Sequence, residues 1–236
     1  MQVSPIRNSE VLNFGHRSHN SDSSIDSYSK KQKAIVAGTS AFGVATSLAI
    51  LAKKGGYSLK PSKMFNNLKN SYISKADFEA KEVISMGVGT CLGGLAGGYL
   101  IDKDRDNFKA KMREAIMQIG NISIPISTVA LFAKYGAKLG AQKSEKYAKI
   151  TKGIASIGGL FIGIYTANFL MNKLGNFLFK TKNERGVKAT DFSAHVDDMV
   201  LAATYVNNNK YVHSIGRIVP VALVIPGFEV GSKKVK

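Results

Sequence analysis

The stretch Val83–Ile101, VISMGVGTCLGGLAGGYLI, decides the fold. It holds nineteen residues without a charge, begins directly after Lys81-Glu82 and stops abruptly at Asp102-Lys103-Asp104-Arg105-Asp106. Nineteen residues of α-helix rise about 28 Å, close to the roughly 30 Å hydrocarbon thickness of a bilayer. A charge near the middle of such a helix costs on the order of 3 kcal/mol, which is why bilayers select segments whose charges stand outside. Within the stretch, Gly89, Gly93 and Gly97 repeat every fourth residue, with Gly94 and Gly98 in a parallel row. Residues four apart share a helix face, so the helix presents a groove without side chains into which another backbone fits. Between helices in lipid such close packing is a main source of association, because hydrophobic burial supplies little there.

Working outward, three further blocks have the same character. Ala34–Ala52 is also nineteen residues without a charge, between Lys30, Lys31 and Lys33 on one side and Lys53-Lys54 on the other. Ala115–Ala133 is more polar and contains Pro125, and Gly153–Met171 is bounded by Lys152 and Lys173. The fourth block repeats the small-residue row in Ala155, Gly159, Gly163 and Ala167, beside Gly158; the first has a weaker version in Ala34, Gly38, Ala41 and Ala45. These rows predict a compact bundle in which the second and fourth helices form the tightest pair. Segments 107–114 and 143–152 read as helical extensions of the third and fourth spans.

The segment Gly87–Asp106, containing GTCLGGLAGGYLIDKDRD, resembles the glycine-zipper segments of small bacterial envelope proteins. The resemblance covers about twenty residues of low-complexity sequence. It implies membrane association and helix packing in a bacterial envelope, and it carries over no catalytic residue.

The predicted fold is therefore an all-α membrane protein, about four transmembrane helices in a glycine-packed bundle with a short C-terminal α/β or re-entrant segment. Residues 1–29, rich in Ser, Asn and Asp, lack the apolar content to offset ordering and read as a disordered polar tail. Residues 30–179 form the helical membrane domain, and 180–236 a charged linker and a small C-terminal region. Met64, Phe65, Leu68 and Tyr72 recur at helical spacing among polar residues, suggesting an amphipathic helix at headgroup level. Further on, 194–206 reads as a helix, Asn207-Asn208-Asn209 as a turn, and Ile218–Ile225 as a buried strand or a re-entrant segment. With Pro220 and Pro226 and a short apolar run, the last is read as non-spanning. No basic-then-apolar leader stands at the start, so the first span is expected to serve as an uncleaved signal.

Composition bounds the chemistry. Lys and Arg number 33 against 16 Asp and Glu, a formal net charge of +17, with the excess in the flanks of the apolar blocks. Lysines so placed attract anionic lipid headgroups; a nucleic-acid binder gathers arginine and stacking aromatics on one face instead. The expected partners are a bilayer with anionic headgroups and further copies of the chain, with no nucleic acid. Lys and Arg are nearly balanced between the two sides of the four spans, so the positive-inside rule assigns no orientation. An even number of spans puts both termini on one side, expected to be the cytoplasmic one. The lone Cys91 excludes an intrachain disulfide and reads as a packing residue inside an apolar block.

On the third block, Gln118, Asn121, Pro125 and Thr128 fall on one stripe at 100° per residue. A polar stripe in lipid should face the bundle interior, either lining a path or making interhelical hydrogen bonds, with Pro125 freeing a backbone carbonyl. No Asp, Glu, Lys or Arg lies within the four blocks, which weakens an ion-coupled pump. His195 and Asp198 share a face of the 194–206 helix, with Asp197 beside them and His213 further on, but the set has no recognised metal-ligand spacing and reads as an acidic helix surface. No phosphate-cradling loop, serine elbow or zinc-helix pattern is present. The sequence thus predicts a non-enzymatic, multi-pass protein, of a bacterial cell membrane by the resemblance, without metal or cofactor and structural or self-associating in role. The alternatives are a channel or transporter lined by the third helix and a helical bundle that inserts conditionally to form a pore.

Overall fold

Each apolar block becomes a helix longer than the block itself, because the flanking polar residues supply caps. In α1, Lys30–Lys54, the Ser29 side chain accepts from the Gln32 N–H while the Gln32 side chain accepts from the Ser29 N–H, a reciprocal capping box. Lys53 and Lys54 occupy the last turn, where the exposed carbonyls favour cations. α2 runs Ala80–Ile101. α3, Arg105–Ala141, opens on Asp104, whose carboxylate accepts from the N–H groups of Asp106 and Asn107. α4, Glu145–Phe179, opens on Ser144 and ends at Lys180, which adopts the left-handed conformation at φ 51°. A 3₁₀ helix, Ala189–His195, and two short helices, α5 (Val219–Ala222) and α6 (Val224–Ser232), follow.

The computed structural model describes residues 28–57, 78, 80–182, 184–195 and 218–235. Among them the protein is all-helical, with four helices long and apolar enough to cross a membrane. The 64–72 amphipathic helix, most of the 194–206 helix with Asp197 and Asp198, the 207–209 turn and His213 lie outside the described residues. Tyr28 and Ser29, assigned to the polar tail, are ordered: Ser29 caps α1, and Tyr28 is buried with its hydroxyl donating to Asp102 Oδ2 at 2.8 Å.

The strand considered for Ile218–Ile225 is not there. Val219–Ser232 is two consecutive helices broken at Leu223, and α6 packs against α1, α2 and α3. The reason is hydrogen bonding: deep in a helical bundle no neighbouring strand offers partners, so a segment must satisfy its own backbone even when rich in valine and isoleucine. Pro220 and Pro226 both fall in a first helical turn, where a missing N–H costs nothing. At about 21 Å the pair is shorter than the hydrocarbon layer.

Packing follows the hairpins. α1 lies antiparallel to α2, and α3 to α4. A methyl group on Gly89 would strike the Gly43 carbonyl of α1, one on Gly93 the Thr39 carbonyl, and one on Gly97 the Thr39 hydroxyl. The second row faces elsewhere: Gly94 meets the Gly227 carbonyl and Gly98 the Gly231 backbone, both of α6. In α4, Gly159 faces Thr128 and Phe132 of α3, Gly163 faces Pro125 and Thr128, Ala155 meets Gly136, and Ala167 is fully buried. The second and fourth helices are therefore not the close pair. Each row is taken up by a sequence neighbour or by α6, since a short connection brings adjacent helices together before distant ones meet. The row Ala34, Gly38, Ala41 and Ala45 lies exposed on the outer face of α1, with open space around Gly38.

The outer faces of the long helices are more apolar than those of a water-soluble bundle. Phe42 is 73% exposed and Phe177 80%, and Leu92, Leu100, Phe161, Tyr165 and Phe169 also stand outward. Lys111, Glu114, Asp191 and His195 are buried instead. Exposed apolar patches on soluble monomers seldom exceed a few hundred Å², whereas here they clothe all four helices.

Candidate functional site: a buried polar core

The N-terminal half of α3, α4, the 3₁₀ helix and α6 converge on a cluster of charged and amide side chains. Arg185 is its centre. Its Nη2 and Nη1 donate to the two carboxylate oxygens of Asp191 at 2.6 and 2.9 Å, a bidentate pair, and Nε lies 3.0 Å from Glu114 Oε1. Nη2 also lies 3.6 Å from Glu229 Oε2. Its backbone is held in turn: Arg185 N–H donates to Asn172 Oδ1 at 2.9 Å, and Asn172 Nδ2 donates to the Arg185 carbonyl at 2.8 Å. One residue of the charged linker thereby ties α3, α4, the 3₁₀ helix and α6 together.

Gln118, the first member of the polar stripe, bridges two of the acids, donating from Nε2 to Glu114 Oε1 at 3.1 Å and to Glu229 Oε2 at 2.6 Å. Thr190 donates to Glu229 Oε1 at 2.6 Å, and Lys233 Nζ stands 3.5 Å from Glu114 Oε2. Burial by itself would weaken the charge on Arg185, yet the Asp191 hydrogen bonds and the charges of Glu114, Asp191 and Glu229 outweigh it and raise its pKa. Burial pushes the Glu229 carboxyl up, against the pull of Lys188, Thr190 and Arg185. A buried ion set of this kind is weak evidence for stability in itself, but removing one partner costs about 3–5 kcal/mol because the others stay buried and unpaired.

The stripe continues downward. Pro125 has no N–H, so the Asn121 carbonyl four residues before it lacks its helical donor. His195 takes that place, with Nε2 2.8 Å from the Asn121 oxygen; since a carbonyl cannot donate, Nε2 carries the proton. Thr128 donates to the Gly159 carbonyl of α4 at 2.9 Å. Gln118, Asn121, Pro125 and Thr128 all point into protein, and α4, α6 and the 3₁₀ helix fill the space the stripe faces. His195 is committed to α3, and Asp198 lies outside the described residues. Cys91 is fully buried among apolar neighbours.

A second ionic site closes the same end of the bundle. Lys111, fully buried, places Nζ 3.2 Å from Asp102 Oδ2 and 3.3 Å from the Tyr28 hydroxyl. Burial alone would raise the Asp102 carboxyl, but the Tyr28 hydroxyl, the Asp104 N–H and the Lys111 ammonium together lower it.

Sequence reading did not find Glu114, Arg185, Asp191 or Glu229. The one available signal was position: Glu114 borders the third block, and a carboxylate at a span's edge needs a partner. Comparison of the chain with protein-family models, with curated proteins and with solved structures returns no match.

Proposed function

We propose that the protein is a multi-pass membrane component of structural role, without enzymatic activity, that self-associates in the bilayer through the outer face of α1. The observation that carries the membrane reading is the set of four long apolar helices with aromatic and aliphatic side chains standing outward on each. The glycine rows of α2 and the small-residue row of α4 are consumed inside the chain, so they hold the protomer together. The row Ala34, Gly38, Ala41 and Ala45 is the one left for a second copy.

The test is alkaline carbonate extraction followed by cross-linking in membranes. The protein is expected in the pellet, and Gly38→Leu, which meets open space within the protomer, is expected to abolish the cross-linked dimer while leaving the melting temperature unchanged. A dimer that persists in Gly38→Leu overturns the self-association; recovery in the supernatant overturns the membrane assignment and favours a bundle that inserts conditionally.

A second reading, a channel or transporter, is favoured by the buried ions beside the third helix, since ionisable groups within a membrane bundle mark substrate paths more often than scaffolds. Flux into liposomes that is lost in Glu114→Gln would support it, and flux that survives both Glu114→Gln and Asn121→Leu would remove its basis.

A further inference from the structure

The polar stripe leaves an account unsettled at mid-depth. Asn121 is 1% exposed, and neither its Oδ1 nor its Nδ2 has a hydrogen-bond partner. Asn168 is 9% exposed, and its Nδ2 is likewise unpartnered while its Oδ1 accepts from Asn172 Nδ2 at 3.0 Å. The packing register brings the two to one level. Gly120 faces Met171, Pro125 faces Gly163, and Arg113 reaches Asn176 at 2.8 Å, so the antiparallel pairing of α3 with α4 sets Asn121 level with Asn168. Both lie on buried faces, and the stripe bearing Asn121 is the one that packs on α4 below it. Two buried amides left unpaired cost about 1–3 kcal/mol for each orphaned group, which a native fold does not carry without compensation.

We infer that Asn121 and Asn168 form a binding site for water, or a neutral molecule of water's size, at the mid-depth of the bundle. The orphaned set contains amide donors and an amide acceptor and no full charge. That matches a ligand that both accepts and donates, whereas an ion at this depth would have to shed its hydration for neutral partners alone. Above the site, Gln118, Asn172, Arg185 and Glu114 form a continuous polar column up to Lys233, whose side chain is 22% exposed. Below it Ile126, Leu160 and Ile164 are buried, and the hydroxyls of Thr128 and Ser156 are taken up by backbone carbonyls. Exchange with bulk water therefore runs through the end that carries Lys233, and the opposite end is sealed. The site rests on the membrane reading for its sidedness.

The test uses the full chain with Cys91→Ala, carrying either N121C or I126C, exposed to the small neutral reagent methyl methanethiosulfonate. N121C is expected to react about tenfold faster than I126C. Equal rates overturn the inference. A second measurement covers poor folding of the cysteine variants. If water satisfies the amides, Asn121→Leu lowers the melting temperature by about 2–4 °C; if the Asn121 amide is simply orphaned, leucine there raises it, and the site does not exist. Should carbonate release the protein, the membrane reading fails by itself, and the contrast between N121C and I126C in buffer still decides the site.

Discussion

At the scale of single residues, the decisive arrangement is Pro125 with His195. A proline in mid-helix removes one hydrogen bond, and here an imidazole from another part of the chain restores it. This makes the two positions energetically coupled. His195→Leu should destabilise the protein by about 1–3 kcal/mol, and by distinctly less when Pro125→Ala has returned the helical donor to Asn121. Chemical denaturation of the four variants of the cycle measures that coupling, and additive effects would show that His195 does not act through the freed carbonyl. Asp102 carries a pH dependence with a definite sign. Its folded pKa lies below the unfolded value of about 3.9, so its contribution is complete above that value and is lost as pH falls through the folded pKa. Melting temperatures of wild type and Asp102→Asn should differ at pH 7 and converge below about pH 4, with Lys111 left without its counterion in the variant at every pH.

At the scale of elements, the glycine rows of α2 set how close α1 and α6 approach. Backbone meets backbone at Gly89, Gly93 and Gly94, so a larger side chain has no flexible neighbour to displace. Gly93→Leu should separate α1 from α2 and cost well over the roughly 1–3 kcal/mol of ordinary overpacking. Cross-linking between cysteines placed at Ser47 and Ser85, where the Ser47 hydroxyl donates to the Ser85 carbonyl at 3.1 Å, in an otherwise cysteine-free chain reports the separation; unchanged cross-linking in Gly93→Leu would show that the row does not hold the hairpin. The rows were legible at once, because spacing four is a property of one helix. Their partners were not. Whether Gly94 meets α4 or α6 depends on how far apart in sequence two packed helices lie, and no periodicity within α2 records that.

At the scale of the whole molecule, the C-terminal region is a wedge, not an appendage. α6 fills the space beside α1, α2 and α3, and its Glu229 completes the set around Arg185. A chain ending before Ile218 loses Glu229 and Lys233 from that set and uncovers Gly94 and Gly98. Such a truncation is expected to lose a cooperative melting transition in detergent, measured by circular dichroism, although α1–α4 are all retained. A truncated chain that melts as sharply as the full one would show that the four long helices suffice.

Four long helices and their apolar character were determined by the sequence alone, because a run of about nineteen uncharged residues is a local property; where each helix ends was set by the polar caps beyond the runs. The polar core was decided only by the tertiary structure. Glu114, Arg185, Asp191 and Glu229 are separated by up to 115 positions and sit in a span's edge, a linker, a 3₁₀ turn and a short helix. Nothing in any one of those segments demands a partner of a given kind; burial of all four in one place does, since a charge withdrawn from water must find its opposite. The same holds for the C-terminal segment, whose valine and isoleucine favour a strand locally and whose surroundings, with no strand to pair with, leave only the helix.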